Sequence, residues 1–445
     1  MMRREDGKKR SGGDGSISAM REMEDPGEDG VAARALEQAG PAAAGAAWPR
    51  ERPWLFGLLV APVAVVANGV LQGGALAFLL SRQGVPELRA SQIISLLALP
   101  TTIYFLWSPI TDFLVRRRTW LLISSVAAAL GMVLAVQQRR LDSRLSVGLM
   151  FFSACAVQLV VSSCGGMLGA LRNERAKRVA GGFYQGGGLG FGAASVLVLL
   201  MLRERGEEAR IPWVAGLLIV APAFFALAAP RQELLVEHGI GRTLRRIWEE
   251  FHGTFFNWRA LPYTVLMLSP LATGAAVGLL TGVARRYGVG GQQVAWMNGL
   301  GGALLMAAGS LAATLIPARI RASVAYLTVA LANAATLAVL SLGPLRQDTY
   351  YVGVALYLLT VGMGYAMFTA VVLEFLGSSG KSGSSRYSII NSMGNVPVVY
   401  MLALDGWGGS RFGVRGLPGT EAVMGALSSL LLLGYFLTLG HKPSD

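Results

Sequence analysis

The sequence is poor in residues that bind metals or form disulfides. Its 445 residues include two cysteines and three histidines. Cys155 and Cys164 fall in one apolar stretch, where small buried hydrophobic side chains are the ordinary interpretation. His238, His252 and His441 are scattered, without the spacing of a metal site. We therefore expect no metal, no cofactor and no catalytic residue.

Charged residues are scarce too, at 15% of the chain, whereas soluble domains have about 25%. The chain is instead 53% hydrophobic with a mean hydropathy of +0.50. Apolar runs of about 20 residues recur, and each can cross a hydrocarbon core of about 30 Å. The net charge of +13 could indicate nucleic-acid binding. Because cytoplasmic turns of membrane proteins also collect Lys and Arg, we expect an all-α integral membrane protein without a nucleic-acid partner.

The apolar runs predict twelve transmembrane helices in two groups of six. The first six are expected at about 54–80, 91–112, 119–137, 145–171, 179–202 and 211–229. The second six are expected at about 261–284, 294–316, 324–345, 350–376, 387–404 and 420–439.

An even number of helices places both ends of the chain on one side of the membrane. The basic turn Arg116–Arg118 should be cytoplasmic by the positive-inside rule, so both termini are predicted to be cytoplasmic in a multi-pass protein of the inner (plasma) membrane. The N-terminal segment lacks periodicity and is predicted to be disordered. The chain then divides into a tail, a six-helix bundle, a linker, a second six-helix bundle and a short tail, at 1–53, 54–229, 230–260, 261–440 and 441–445.

The linker contains one segment with helical periodicity. Leu244, Ile247, Trp248 and Phe251 are spaced for one apolar helix face, and charged residues cover the other face. Such a helix can lie along the inner membrane surface. A solvated linker helix is an equally good interpretation.

The two groups of helices resemble each other in their turns. Short basic turns follow predicted helices 2 and 8, at Arg116–Arg118 and at Arg319 and Arg321. Longer polar turns follow predicted helices 4 and 10, at Arg172–Arg178 and Gly377–Arg386. A repeated six-helix unit is typical of transporters, whose solute site lies between the halves near the middle of the membrane.

The turn after predicted helix 2 carries the most informative charges. Asp112 is followed four, five and six positions later by Arg116, Arg117 and Arg118. A carboxylate at a membrane edge can pair with such arginines or cap a neighbouring helix N-terminus. Contacts of this kind form in one state of a transporter and break in another. The alternative is that these charges only fix the topology.

This turn resembles that of the major facilitator superfamily, in which an Asp after helix 2 is followed four and five positions later by basic residues. The resemblance implies two pseudo-symmetric six-helix bundles that alternate access to a central site without ATP. It also implies that Asp112 and Arg116–Arg118 form a gating motif that latches the outward-facing state.

A closer resemblance is to AmpG-like muropeptide permeases and their acetyl-CoA transporter relatives. It covers roughly residues 54–440 and implies a sugar or muropeptide as the cargo, with proton coupling. The group's carboxylates in helix 4 fall near Ser162 and Gly166 here, which leaves both implications open. The segments that carry it are Leu106–Asp112, Arg116–Arg118, Trp120-Leu121, Leu71-Gln72, Gly288-Val289, Asn298-Gly299 and Ser385–Ile390.

Polar residues within the predicted helices are candidates for the solute pathway. Several are paired four residues apart, on one helix face. The alternative is that they hold neighbouring helices together. The candidates are Asn68, Gln72, Gln158, Ser162, Tyr184, Gln185, Asn298, Tyr365, Asn391 and Asn395.

Glu374 is the one acid that we place clearly within a predicted helix, and it is the proton-coupling candidate. The alternative is an interfacial glutamate paired with Lys381 or Arg386. Asp405 is expected at the outer edge of predicted helix 11, where it would be solvated.

The sequence therefore predicts a secondary active transporter for a small polar solute. Its expected partners are a small-molecule substrate and the lipid bilayer, and it is expected to be a monomer and no enzyme. The alternative function is that of a membrane-embedded enzyme acting on a lipid-linked substrate. Such enzymes need clustered carboxylates or a catalytic base in a membrane-edge loop, and no turn here holds two clustered aspartates.

Overall fold

The computed structural model describes most of the chain between residues 52 and 438. Residues 1–51 and 439–445 and most of the predicted linker lie outside the described part. All the secondary structure that is described is helical, and it belongs to one compact unit, Trp48–Asp445. The described residues are 52–71, 76, 79, 80, 83–112, 115–171, 173–229, 245, 248, 249, 252, 260–376 and 383–438.

Among the described residues up to 229, the helical segments fall near the six predicted positions, and we number them α1 to α6. In α1 and α2 the helix type changes along the run. The six are α1 (Leu55–Leu59, Ala61–Val63 and the π-helical Ala64–Leu71), α2 (Glu87–Ile103, continued by the 3₁₀ turns Tyr104–Leu106 and Ser108–Asp112), α3 (Arg117–Val136), α4 (Arg144–Gly169), α5 (Glu174–Glu204) and α6 (Ile211–Ala223, continued by Phe224–Ala228).

Among the described residues from 260 onward, we number the helical segments α7 to α12, and three of them are interrupted. An interrupted helix keeps one number here, and its two parts are a and b. The six are α7a (Leu261–Leu268) and α7b (Ala276–Val283), α8a (Gly291–Asn298) and α8b (Leu300–Ala312), α9 (Ala322–Leu342), α10 (Gln347–Leu376), α11a (Gly383–Met393) and α11b (Val396–Phe412), and α12 (Gly416–Thr438).

The continuous helix predicted at 261–284 is therefore wrong, because the chain unwinds between α7a and α7b. Pro270 lacks the N–H that would continue the helix. Ala272 and Gly274 then have left-handed backbones, with φ of 47° and 73°. A left-handed alanine is strained, and strain of this kind concentrates at functional sites. Proline also marks the start of α11b, where Pro397 follows the break at Gly394 and Asn395.

The helices have the length and the surface of membrane spans. Six described helical stretches are long and apolar enough to cross a bilayer. Large apolar side chains face outward, for example Leu130, Trp213 and Leu431, which are 59%, 65% and 75% exposed. Such a surface suits lipid, in which backbone groups must be satisfied within the helix.

The two halves pack against each other along two seams. In one seam α5 lies against α8b and α10, and in the other α4 and the end of α2 lie against α11a. Within the N-terminal half, a Cβ on Gly187 of α5 would lie 2.3 Å from the backbone oxygen of Gly57 in α1. The glycines of α5 thus permit close helix packing.

Few residues of the predicted linker are described. Arg245, Trp248, Glu249 and His252 are helical, and Arg245 Nε donates to Glu249 Oε1 at 2.8 Å, one helical turn away. The helical periodicity of the segment agrees with these contacts. Where this helix lies relative to the membrane stays a prediction.

Candidate functional site

A cavity of about 320 Å³ lies between the two halves. Its walls come from α1, α2, α4 and α5 on one side and from α7, α9, α10 and α11 on the other. Small-molecule sites in proteins span about 300–1,000 Å³, so this cavity is at the small end of that range. The break in α7 forms part of the wall through Ser269, Leu271, Ala272 and Thr273.

The polar lining of the cavity is made of amides and hydroxyls. None of the described residues that line it is charged. Seven of the ten pathway candidates are among them: Asn68, Gln158, Tyr184, Gln185, Tyr365, Asn391 and Asn395.

Most of these polar groups are held in place by hydrogen bonds to a neighbouring helix. Asn68 Nδ2, on the π-helical part of α1, donates to the Gly188 carbonyl at 3.0 Å. Gln185 Nε2 donates to Thr369 Oγ1 at 2.9 Å and thereby joins the two halves. Each of these side chains therefore lines the cavity and also holds two helices together.

Gln158 differs from its neighbours. It is 4% exposed, lines the cavity, and receives no hydrogen bond from, and donates none to, another described residue. Because its amide borders the cavity, a solute or water there can form hydrogen bonds with it.

The break in α11 brings two asparagines to the cavity and ties them to α2. Asn391 Nδ2 donates to the Tyr104 hydroxyl at 3.0 Å, and Asn395 Nδ2 donates to the Thr101 carbonyl at 3.1 Å. Both bonds cross from one half to the other. Thr101 also lines the cavity, and no sequence signal had marked it or Tyr104.

Three predicted pathway residues are not placed in the cavity. Ser162 is fully buried beyond its floor, where it bonds to Thr111 at 2.8 Å and to Ser388 at 3.1 Å. Asn298 ends α8a and is not among the lining residues. Gln72 lies outside the described residues.

Below the cavity, Asp112 is held by contacts from both halves. Arg117 Nε and Nη2 donate to Asp112 Oδ1 at 3.1 and 2.8 Å. Arg117 Nη1 also donates to the Gly166 carbonyl of α4 at 3.1 Å. From the C-terminal half, the Ser385 backbone N–H and hydroxyl donate to Asp112 Oδ2 at 3.0 and 2.7 Å. We call Asp112, Arg117 and Ser385 the latch.

The latch combines the two contacts that the sequence offered as alternatives for Asp112. One carboxylate oxygen pairs with an arginine, and the other caps the N-terminal turn of α11a. The ion pair is buried, with side-chain exposures of 9% for Arg117 and 1% for Asp112. Arg116 and Arg118, the other arginines of the predicted motif, are partly exposed, and no bond from them to Asp112 is described.

Other contacts close the same end of the molecule. Arg178 at the start of α5 donates to the carbonyls of Pro317 and Ile320 at 2.7 and 2.5 Å, across the interface. The Tyr387 ring lies so close to Gly165 that a Cβ there would be 2.0 Å from it. By contrast, described hydrogen bonds of Gln83 at the opposite end stay within the N-terminal half.

Glu374 is half-buried near the latch end of α10, and its carboxylate caps a helix. Ala322 N–H, at the first position of α9, donates to Oε2 at 2.8 Å, and the Tyr263 hydroxyl donates to Oε1 at 3.3 Å. A negative charge at a helix N-terminus is favourable. Glu374 does not line the cavity, and its role in proton coupling stays a prediction.

Two other acids correct the sequence analysis. Asp405, expected to be solvated, is 0% exposed in α11b because α12 covers it. Glu421 in α12, which the sequence analysis passed over, is 2% exposed. Their spacing along the chain gave no signal, because the contact between α11b and α12 arises only when the helices pack. No cluster of three or more His, Cys, Asp or Glu that could hold a metal is found among the described residues.

No protein-family model and no curated protein matches the chain. Several solved structures, in contrast, do match the chain. The human organic anion transporter MFSD10 (TETRAN) is 17% identical, with a TM-score of 0.60 over 86% of this chain and 100% of that one. The E. coli fucose:proton symporter FucP is 15% identical, with a TM-score of 0.60 over 86% of this chain and 98% of that one.

The proton:xylose symporter XylE, solved with 6-bromo-6-deoxy-D-glucose bound, is 12% identical, with a TM-score of 0.60 over 88% of this chain and 94% of that one. The likeness confirms the predicted fold class: the chain is a multi-pass membrane protein with the major facilitator fold. The resemblance to the AmpG-like group stays a prediction.

Proposed function

We propose that the chain is a secondary transporter that moves a small, uncharged polar solute by alternating access. The observation that carries this proposal is the cavity between the two halves, lined by amides and hydroxyls and sealed at one end by the latch. A site between two bundles can face either side of the membrane when the bundles rock against each other.

The chemistry of the lining supports a neutral solute. An anionic solute would need a basic side chain in the cavity, and a cationic one an acidic side chain, because burying an unpaired charge is costly. Amides and tyrosine hydroxyls instead match the hydroxyl groups of a sugar. FucP and XylE carry fucose and xylose by their titles, whereas MFSD10 carries organic anions. The lining favours the first class for this chain.

The volume supports one sugar unit better than a sugar-peptide. At about 320 Å³ the cavity lies at the small end of ligand sites. A muropeptide cargo, which the resemblance implies, would require the cavity to widen or the peptide to extend out of it. Within the AmpG-like interpretation, the sugar part is the piece that this cavity would hold.

The latch supports a state that faces away from the Asp112 end. With the basic turn on the cytoplasmic side, that state is outward-facing, both termini are cytoplasmic, and the protein lies in the plasma membrane. The described lining of the cavity comes from both halves of one chain, which supports a transporting monomer.

Counterflow of labelled sugars into proteoliposomes that contain the purified full chain tests the proposal. Neutral monosaccharides, an N-acetylglucosaminyl-anhydromuramyl sugar and its peptide conjugate are compared. We expect saturable counterflow of a neutral sugar. Gln158→Ala should weaken its apparent affinity by about 5- to 10-fold, because one solute hydrogen bond is lost. Gln137→Ala removes an exposed glutamine of the same half and is the matched control.

Three outcomes would contradict the proposal. Gln158→Ala and Gln137→Ala could act alike, which would remove the cavity from the pathway. Anions could be carried in preference to every neutral sugar, which would contradict the solute class. Finally, turnover of a lipid-linked donor would revive the enzyme alternative.

A further inference from the structure

The C-terminal half contains a pair of buried carboxyl groups that the proposed transport cycle does not yet use. Asp405 of α11b and Glu421 of α12 are 0% and 2% exposed and lie in hydrogen-bonding contact with each other. Asp405 lies seven residues before the end of α11b, about 10 Å along the helix. Along α11 it is about 30 Å from Ser385, so the pair belongs to the end opposite the latch.

The two carboxyl groups have unequal surroundings. Glu421 accepts from three donors: the Thr273 hydroxyl at 2.8 Å, the Ala276 N–H at 3.0 Å, and the Tyr357 hydroxyl, which lies 3.1 Å from both carboxylate oxygens. Neither oxygen of Asp405 receives a hydrogen bond from a described N–H or O–H group. An ionised carboxylate buried without a donor or a cation is strongly disfavoured.

No base neutralises the pair among the described residues. The titratable groups that interact with it are Tyr357 and Tyr365 of α10. The connection before α12 contributes Arg415, whose guanidinium donates to the Gly343 carbonyl. α7 faces the pair with neutral groups, the Thr273 hydroxyl and the Ala276 N–H. Two acceptors in contact can bond only through a proton on one of them.

We propose that Asp405 and Glu421 share one proton and that this pair is the proton-coupling site of the transporter. Asp405 carries the proton as a carboxylic acid and donates to Glu421, which remains the carboxylate that Thr273, Ala276 and Tyr357 bind. Transfer of the proton to water breaks the O–H bond of Asp405 and leaves two buried carboxylates in contact. The repulsion between the two carboxylates then pushes α11b and α12 away from each other.

The pair is joined to the cavity through the break in α7. Thr273 lines the cavity, donates its hydroxyl to Glu421, and accepts at its carbonyl from the Tyr365 hydroxyl at 3.1 Å. Tyr365 lines the cavity as well. Glu421 also caps α7b at Ala276. A change in the charge of the pair therefore moves the segment against which a solute rests, and a bound solute changes the affinity for the proton by the same factor.

This coupling rests on the transport function proposed above, and the two can fail separately. The full chain is reconstituted as wild type, Asp405→Asn, Glu421→Gln and Asp348→Asn. Asp348 is an exposed acid of the same half and provides the matched control. Infrared spectra at neutral and alkaline pH report the protonated carboxyl group without any solute. Sugar accumulation driven by a proton gradient is compared with counterflow.

We expect wild type and Asp348→Asn to contain a protonated carboxyl band at neutral pH that disappears at alkaline pH. Asp405→Asn and Glu421→Gln should each lose that band. Both should also lose gradient-driven accumulation, so that the sugar only equilibrates, while counterflow persists. A sodium gradient at constant pH should drive no accumulation in wild type.

Absence of the band from wild type at neutral pH would overturn the shared proton, and this measurement needs no variant that folds. Gradient-driven accumulation that survives in Asp405→Asn, or accumulation driven by sodium, would overturn the coupling while transport stands. Absence of counterflow in wild type together with a titrating band would instead contradict the proposed function.

Discussion

The latch and the carboxyl pair are two solutions to the burial of an aspartate in one membrane protein. Asp112 is 6% exposed and is paired with the guanidinium of Arg117. Asp405 is 0% exposed, and its neighbour is a second carboxyl group. The guanidinium of Arg117 and the donors of Ser385 hold Asp112 between the two halves. An acid neighbour requires a proton, so the same residue type becomes a carrier.

Glu374 shows that helix capping alone does not separate these roles. Glu374 and Glu421 both accept from the first N–H of a helix, at Ala322 and Ala276. What separates them is that Glu421 is buried against another acid. The comparison therefore predicts that altering the neighbour of each acid changes its role more than altering the cap would.

The largest effect on the conformational equilibrium is expected when the buried ion pair between Asp112 and Arg117 is broken. Asp112→Asn removes the buried ion pair with Arg117, and breaking one side of such a pair costs about 3–5 kcal/mol. The substitution also weakens the bonds from Ser385, which join the two halves in the latched state, so the equilibrium should shift to the state open at the Asp112 end. Cysteine accessibility at the two ends of the cavity measures the shift, and the transport rate should fall while membrane insertion is retained.

Arg117→Met in the Asp112→Asn background is the control for that experiment. Removing the buried guanidinium as well should recover part of the lost stability, although the bonds to Ser385 are not restored. Transport at the full wild-type rate by Asp112→Asn would contradict the role of the latch.

An intermediate effect is expected where only packing across the seam changes. A Cβ on Gly165 would lie 2.0 Å from the Tyr387 ring, so Gly165→Ala should push α4 and α11a apart. Overpacking costs about 1–3 kcal/mol, here in the latched state alone. Gly169→Ala lies one turn further along α4, where no atom is within 4 Å of the added Cβ.

Distances between spin labels on α4 and α11a should therefore lengthen for Gly165→Ala and stay unchanged for Gly169→Ala. Equal distances in both variants would mean that the Tyr387 ring moves aside at little cost. The seam would then contribute less to closing this end than the latch does.

The features of the latch that depend on residues close together in the chain could be predicted from the sequence. Apolar runs predicted the helices, and the spacing from Asp112 placed an arginine within reach of it. The periodicity could not show which arginine turns inward. Arg117 does so because α3 begins there, with Arg116 in an extended conformation before it. Asp405 and Glu421 were missed because their contact joins α11b to α12, and only packing reveals a neighbour of that kind.

The smallest effect is expected where one hydroxyl joins the carboxyl pair to the cavity. Thr273→Val keeps both acids and the fold of α7 but removes the hydrogen bond to Glu421. One such bond contributes about 1 kcal/mol, or about fivefold in an equilibrium constant. We expect the dependence of solute affinity on pH to flatten by about that factor, as measured by binding at several pH values.

Thr264→Val removes a hydroxyl that bonds only within α7, to the Ala260 carbonyl, and should leave the dependence of solute affinity on pH intact. A pH dependence unchanged by Thr273→Val would place the connection in the Ala276 N–H, and the acid pair would then act on the cavity through the cap of α7b alone.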